Sequence, residues 1–126
     1  MNDKITTIQE LKDLGEKFKK DRNWNKHHTP RNLAASIVIE AAELLEHYQW
    51  GKFSQILNTR EDIAKELADI ILYCLSFAVE SKIDIATAVK EKIAHNSKKY
   101  PVRMFNKGRD DPKDYQRIKK QYRRKR

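Results

Sequence analysis

The chain has 126 residues and a single cysteine, which suits one domain, excludes a disulfide-stapled scaffold and fits a reducing cytoplasm. Its net charge of +9 is unevenly placed: residues 107–126 hold 10 Lys+Arg and 3 Asp+Glu, leaving 17 basic and 15 acidic residues for the rest. The body is therefore nearly neutral, and the basicity that resembles a nucleic-acid signature belongs to the tail.

From the N-terminus, MNDKITTIQELKDLG has no basic start followed by an apolar block, so no secretory leader is expected. Thr7 and Glu10 have the spacing of a capping box, a hydroxyl cap with a carboxylate three residues on. A first helix is expected from Ile8 to about Arg22, with Ile8, Leu11, Leu14 and Phe18 on one face. NKHHTPRN breaks it. Thr29 can cap and Pro30 suits the first turn of a second helix reaching about Gln49, where Gly51 helps to end it. Thr59 offers the next cap, for a third helix from about Arg60 to Glu80. Asp84 can cap a fourth, which runs to about Lys98 before Pro101 stops it. With only 3 glycines, 3 prolines and no β-branched alternation, the fold class is all-α, a four-helix bundle-like protomer. Beyond Asn106 no apolar periodicity is evident, which divides the chain into a domain over 1–106 and a basic, flexible tail over 107–126. The longest apolar run, Ile70 to Val79, is too short to span a bilayer, so no membrane partner is expected.

Helices two and three carry the chemistry. At about 100° per residue, Ser36, Glu40, Glu43 and His47 fall within a sector roughly 60° wide, and apolar residues fill most of the remaining circumference. Asp62, Glu66, Asp69, Tyr73 and Glu80 form the same kind of stripe on helix three. One Glu-x-x-Glu pair says little, because glutamate favours helices and such pairs arise on solvated faces. Two pairs, on the two most apolar helices and without interleaved Lys or Arg, say more, since like charges facing one another call for a cation among them. Oxygen ligands fit a hard divalent ion that bridges carboxylates to phosphates. A di-iron bundle would ask for Glu-x-x-His, whereas Glu43 is followed at that spacing by Glu46, with His47 one residue late.

DRNW, HHTPRNL, IEAAELLEHYQW, KELADIILY and NSKKYP, spread from Asp21 to Pro101, resemble the all-α nucleoside triphosphate pyrophosphohydrolases of the MazG-like superfamily, and within it the dCTP pyrophosphatase group. The resemblance implies a bundle of the MazG type that assembles as a homodimer or homotetramer. It implies cleavage of a nucleoside triphosphate, dCTP or a modified dCTP, between the α and β phosphates to give the monophosphate and pyrophosphate. It implies Mg²⁺ as cofactor, with Mn²⁺ able to substitute. Carried over by motif, Glu40, Glu43, Glu66 and Asp69 would be the metal-binding and catalytic residues. Trp24 and Trp50 would lie beside the base, a role that suits a flat amphipathic ring. Tyr73 would close the pocket or touch the sugar, and Lys92, Asn96, Lys99 and Tyr100 would meet phosphates and sugar. One departure is visible: animal members of the group carry a base-contacting histidine in the first helix, and Gly15 stands near that place here.

Two other readings compete. A non-catalytic oligomeric helical protein could bind nucleic acid through RIKKQYRRKR, since clustered Lys and Arg hold phosphate backbones; it leaves the acidic stripes unexplained. A di-iron or other carboxylate–metal protein is the third. His27 and His28 read as loop residues ahead of a cap.

Overall fold

The structure is a computed structural model that describes residues 1–49, 60–105 and 112–124. Among these the order is α1 (Ile8–Asp21), a 3₁₀ turn (Asn25–His27), α2 (Pro30–Gln49), α3 (Arg60–Glu80), α4 (Ile85–Lys99), α5 (Val102–Phe105) and α6 (Pro112–Arg124), with no strand. No described helix is long and apolar enough to cross a membrane. The expected all-α class holds, and the four expected helices start and end within a residue or so of their anticipated positions. Gly51 and the expected cap Thr59 lie outside the described residues.

The capping box forms. Thr7 Oγ1 accepts from Glu10 N at 3.1 Å, and Glu10 Oε2 accepts from Thr7 N at 2.6 Å. That backbone N–H, with the Thr7 hydroxyl, holds the Glu10 carboxyl below its ordinary pKa. At the other end of α1, Asn23 takes φ 55°, the left-handed region that asparagine tolerates better than most residues. The chain then doubles back, and Trp24 N donates to Lys19 O at 3.0 Å. This turn brings Trp24 edge-on to Phe18, centroids 5.5 Å apart, while the Arg22 guanidinium lies 3.7 Å from the Phe18 ring centroid. Thr29 caps α2 as its position predicts, accepting from Asn32 N at 3.2 Å.

The chain forms two compact units, 1–84 and 85–126. In the first, α2 and α3 are the central pair and α1 packs on α3. The pair runs antiparallel: the His28 ring, just before α2, meets Tyr73, and His47, near the end of α2, reaches Glu66. Leu33 (1% exposed), Leu75 and Ala78 are buried at its centre. Lys82 repeats the left-handed helix end at φ 55°, and Lys12 Nζ ties α1 to that corner by donating to Ile83 O at 2.9 Å. Much apolar surface stays open, including Val38, Leu45, Leu67 and Ile71.

In the second unit the structure departs from the sequence expectation. Residues 112–124 form a helix where no regular element was expected. Tyr115, Ile118 and Tyr122 recur at i, i+3 and i+7, a helical stripe hidden by the density of Lys and Arg around it. Ile118 is buried, Tyr115 stacks on Tyr100 with centroids 5.2 Å apart, and Tyr122 meets His95 edge-on at 5.6 Å.

Candidate metal centre and adjoining pocket

Residues three apart on a helix share a face, so Glu40 and Glu43 on α2 project together, and α2 lies against α3 where Glu66 points back. One carboxylate oxygen from each of Glu40, Glu43 and Glu66 lies within 4.8 Å of the others. Glu40 and Glu66 are half-buried. Two unit charges at that separation repel by roughly 3 kcal/mol at an effective dielectric of about 20. The molecule responds at Glu40, whose pKa rises chiefly through burial, then through sharing a proton with Glu43, then through the charges of Glu43, Asp69 and Glu66.

Two oxygens are left without a donor. Glu40 Oε2 and Glu66 Oε2 are buried with no hydrogen-bond partner among the described residues when both groups are carboxylates; a proton on Glu40 is what allows its contact with Glu43. The other Glu66 oxygen, Oε1, lies 3.4 Å from His47 Nε2. Buried acceptors facing each other from two helices, without donors, are what a cation satisfies. An all-carboxylate set with one histidine at its edge suits a hard ion such as Mg²⁺ or Mn²⁺ and is poor for a soft one. Asp69, the fourth residue expected here, stands apart from the three-oxygen cluster. It adds to the field at Glu40 and lines the neighbouring pocket.

That pocket has a volume of about 470 Å³ between α1, the 3₁₀ turn and α3. Its walls are mainly apolar: Leu14, Phe18, Trp24, Leu72 and Tyr73. Trp24, 48% exposed, offers a free ring face, so the expected positions of Trp24, Tyr73 and Asp69 come together in one cavity. Gly15 also lines it, where a Cβ would meet nothing nearer than Leu72 Cδ2 at 3.8 Å. Trp50 lies outside the described residues. Lys19 and His28 line the pocket as well, and sequence reasoning missed both. His28 reads as a loop residue ahead of a cap, and the sequence analysis makes no assignment for Lys19. The signal for Lys19 was its place one residue beyond Phe18 and four beyond Gly15, on the flank of α1's apolar face.

The expected residues Lys92, Asn96, Lys99 and Tyr100 also come together, within the second unit. They line a groove of about 740 Å³ whose other wall is α6, with Tyr115, Lys119 and Arg123. Lys99 Nζ sits 4.9 Å from the Tyr122 ring centroid and 5.1 Å from that of Tyr100.

The model of the MazG-like family matches residues 35–117, which takes in α3, α4 and α5 whole. The chain is 32% identical over 104 residues to dCTP pyrophosphatase 1 of Bos taurus, a match covering 78% of this chain and 62% of that protein. The Homo sapiens protein of the same name is 30% identical, with 78% and 61% covered. The chain thus spans about three fifths of the length of these relatives. Among solved structures, a pyrophosphatase from Archaeoglobus fulgidus is similar, with a TM-score of 0.69 and 41% identity over 75% of this chain and 92% of that one.

Proposed function

The chain belongs to the MazG-like family, and we propose that it is a metal-dependent nucleoside triphosphate pyrophosphohydrolase. It cleaves the α–β phosphate bond to release the monophosphate and pyrophosphate, with dCTP or a modified dCTP as substrate, in the cytoplasm. One observation carries this reading: Glu40, Glu43 and Glu66 converge, two of them with a buried oxygen that lacks a donor, next to an aromatic cavity large enough for a nucleoside. The pyrophosphatase activities for which the similar bovine and archaeal proteins are named agree with it.

In this mechanism Trp24 and Tyr73 hold the base, and Trp50 would supply a second stacking face. Glu40, Glu43, Glu66 and Asp69 would hold Mg²⁺, which would neutralise phosphate charge and make a water more acidic. One of the carboxylates, Glu43 by preference, takes the proton of the attacking water. Lys92, Asn96, Lys99 and Tyr100 bind the leaving phosphates. Catalysis comes mainly from positioning and charge neutralisation. The hydrolase domain occupies residues 1–106. The exposed apolar residues of α2 and α3 support a homodimer or homotetramer, because one protomer leaves too much of that surface wet.

The direct test is to incubate the protein with Mg²⁺ and each nucleoside triphosphate in turn, measuring pyrophosphate against orthophosphate. Pyrophosphate from one or a few nucleotides, lost with EDTA, is the expected result. Orthophosphate alone, or no release from any nucleotide including methylated cytidines, refutes it.

A further inference from the structure

The pocket beside the carboxylates has mainly apolar walls, with Lys19, His28, Asp69 and Ser76 as its polar lining. Lys19 is 5% exposed. Its Nζ is ion-paired with Glu16 Oε1 at 2.7 Å and has no further partner among the described residues. An ammonium has three donors, so at least two remain for whatever fills the cavity. His28 Nδ1 is buried and has no partner among the described residues. Both residues line the same cavity as Trp24, Tyr73 and Gly15. A buried imidazole nitrogen without a partner, and a buried ammonium with one acceptor for its three donors, are costly unless a ligand completes them.

We propose that Lys19 and His28 are the base-reading pair of this pocket, selecting an amino-pyrimidine. Lys19 Nζ donates to the ring nitrogen or carbonyl of the base, and His28 Nδ1 accepts from its exocyclic amine. The inference rests on the nucleotide reading given above and assigns that site its specificity.

His28 suits an acceptor's role. Burial first, and the Lys19 charge second, lower its pKa; Glu16 and Glu80 oppose this and His27 adds to it. A neutral ring beside an ammonium turns a lone pair, not an N–H, towards the shared space. The His28 ring is braced edge-on by Tyr73 at 6.4 Å between centroids. Gly15 lines the same cavity without a side chain. A site built to hydrogen-bond a substrate group rejects the analogue that lacks it far more strongly than an apolar pocket could.

The test uses nucleosides without phosphates, so that it is independent of turnover. Binding of deoxycytidine, of deoxyuridine and of the 2-pyrimidinone nucleoside lacking the amine is measured by calorimetry on the wild type, Lys19→Met and His28→Phe. A thermal melt shows that each variant folds. The wild type should bind deoxycytidine about tenfold or more tighter than the amine-free analogue. His28→Phe should lose that preference, and Lys19→Met should weaken both ligands by about ten- to hundredfold. A merely structural Lys19 would change the melting temperature and leave the ratios between nucleosides alone. Unchanged ratios in both folded variants, or a wild type that binds no nucleoside, overturn the inference. A wild type that binds deoxycytidine selectively yet releases no pyrophosphate from any triphosphate keeps it and refutes the hydrolase reading instead.

Discussion

Glu40→Gln should stabilise the metal-free protein while destroying its response to metal. Glu40 and Glu66 are half-buried, with oxygens within 4.8 Å of each other. Their repulsion has a ceiling of roughly 3 kcal/mol at an effective dielectric of about 20. Partial exposure reduces the part felt in solution to about 1–2 kcal/mol. Glutamine has the same shape, removes the charge and brings an N–H₂ that can donate to the bare Glu66 Oε2. For a chain of this size that predicts a melting temperature in EDTA higher by about 4–10 °C. With millimolar Mg²⁺ the order should reverse, because wild type gains the binding free energy, about 2.7 kcal/mol at a hundred times Kd, and the variant gains little. Differential scanning fluorimetry of both proteins, with and without Mg²⁺, reads all four values. A variant that melts below wild type in EDTA, or shifts equally with Mg²⁺, would show that these carboxylates neither repel each other nor share a cation.

The pH dependence follows from the same group. Because the folded-state pKa of Glu40 is raised, its contribution is fully present below the unfolded value near 4.5 and is lost as pH rises through the folded pKa. The melting temperature of metal-free wild type should therefore fall relative to that of Glu40→Gln as pH rises above about 4.5, and Mg²⁺ should remove the difference in slope. Glu43→Gln should keep the fold and lower kcat by at least about a hundredfold, a typical general-base effect, in a steady-state pyrophosphate assay. Trp24→Ala should weaken deoxycytidine binding by about ten- to hundredfold, the usual worth of one stacked ring, with the far-ultraviolet circular dichroism unchanged. A chain ended at Asn106 loses α6, which packs on Tyr100 and His95 through Tyr115 and Tyr122, so its hydrolysis should fall together with salt-sensitive retention of RNA on a filter; full hydrolysis by the truncated chain would mark the segment as accessory.

The helices and the carboxylate pairs were legible because both depend on local spacing. A capping box, an N-cap before proline and a three-residue repeat of acids need only the chain within one turn of itself, and each is found where its residues stand. What was not legible depends on how segments return on themselves. Trp24 reaches the pocket through the left-handed turn at Asn23, which nothing in DRNW announces except an asparagine. A lysine is nearly always solvated, and only the fold shows Lys19 buried beside Phe18 and His28. Helix α6 was hidden for the opposite reason: its composition is so basic that two tyrosines and an isoleucine at helical spacing pass for chance.

The carboxylate cluster and the polar lining of the pocket share one physical design. In each, buried polar atoms converge from separate elements and stay incompletely satisfied: Glu40 Oε2 and Glu66 Oε2 in the first, Lys19 Nζ and His28 Nδ1 in the second. A chain selected for stability alone would replace these groups with apolar ones, since an unsatisfied buried group costs about 1–3 kcal/mol. The two sets are opposite in what they lack. The acidic oxygens want positive charge, whereas the ammonium and imidazole want a neutral hydrogen-bonding edge. In the proposed reading one magnesium nucleotide would supply both, its cation at the first set and its base at the second; Asp69 adds to the field at Glu40 and lines the pocket. Binding should then be cooperative between cation and nucleoside even without a bond between them, because each ordered set steadies α3, the helix that carries Glu66, Asp69 and Tyr73. Calorimetric titration of deoxycytidine with and without Mg²⁺ measures that coupling; equal affinities in the two titrations would show the sites to be independent.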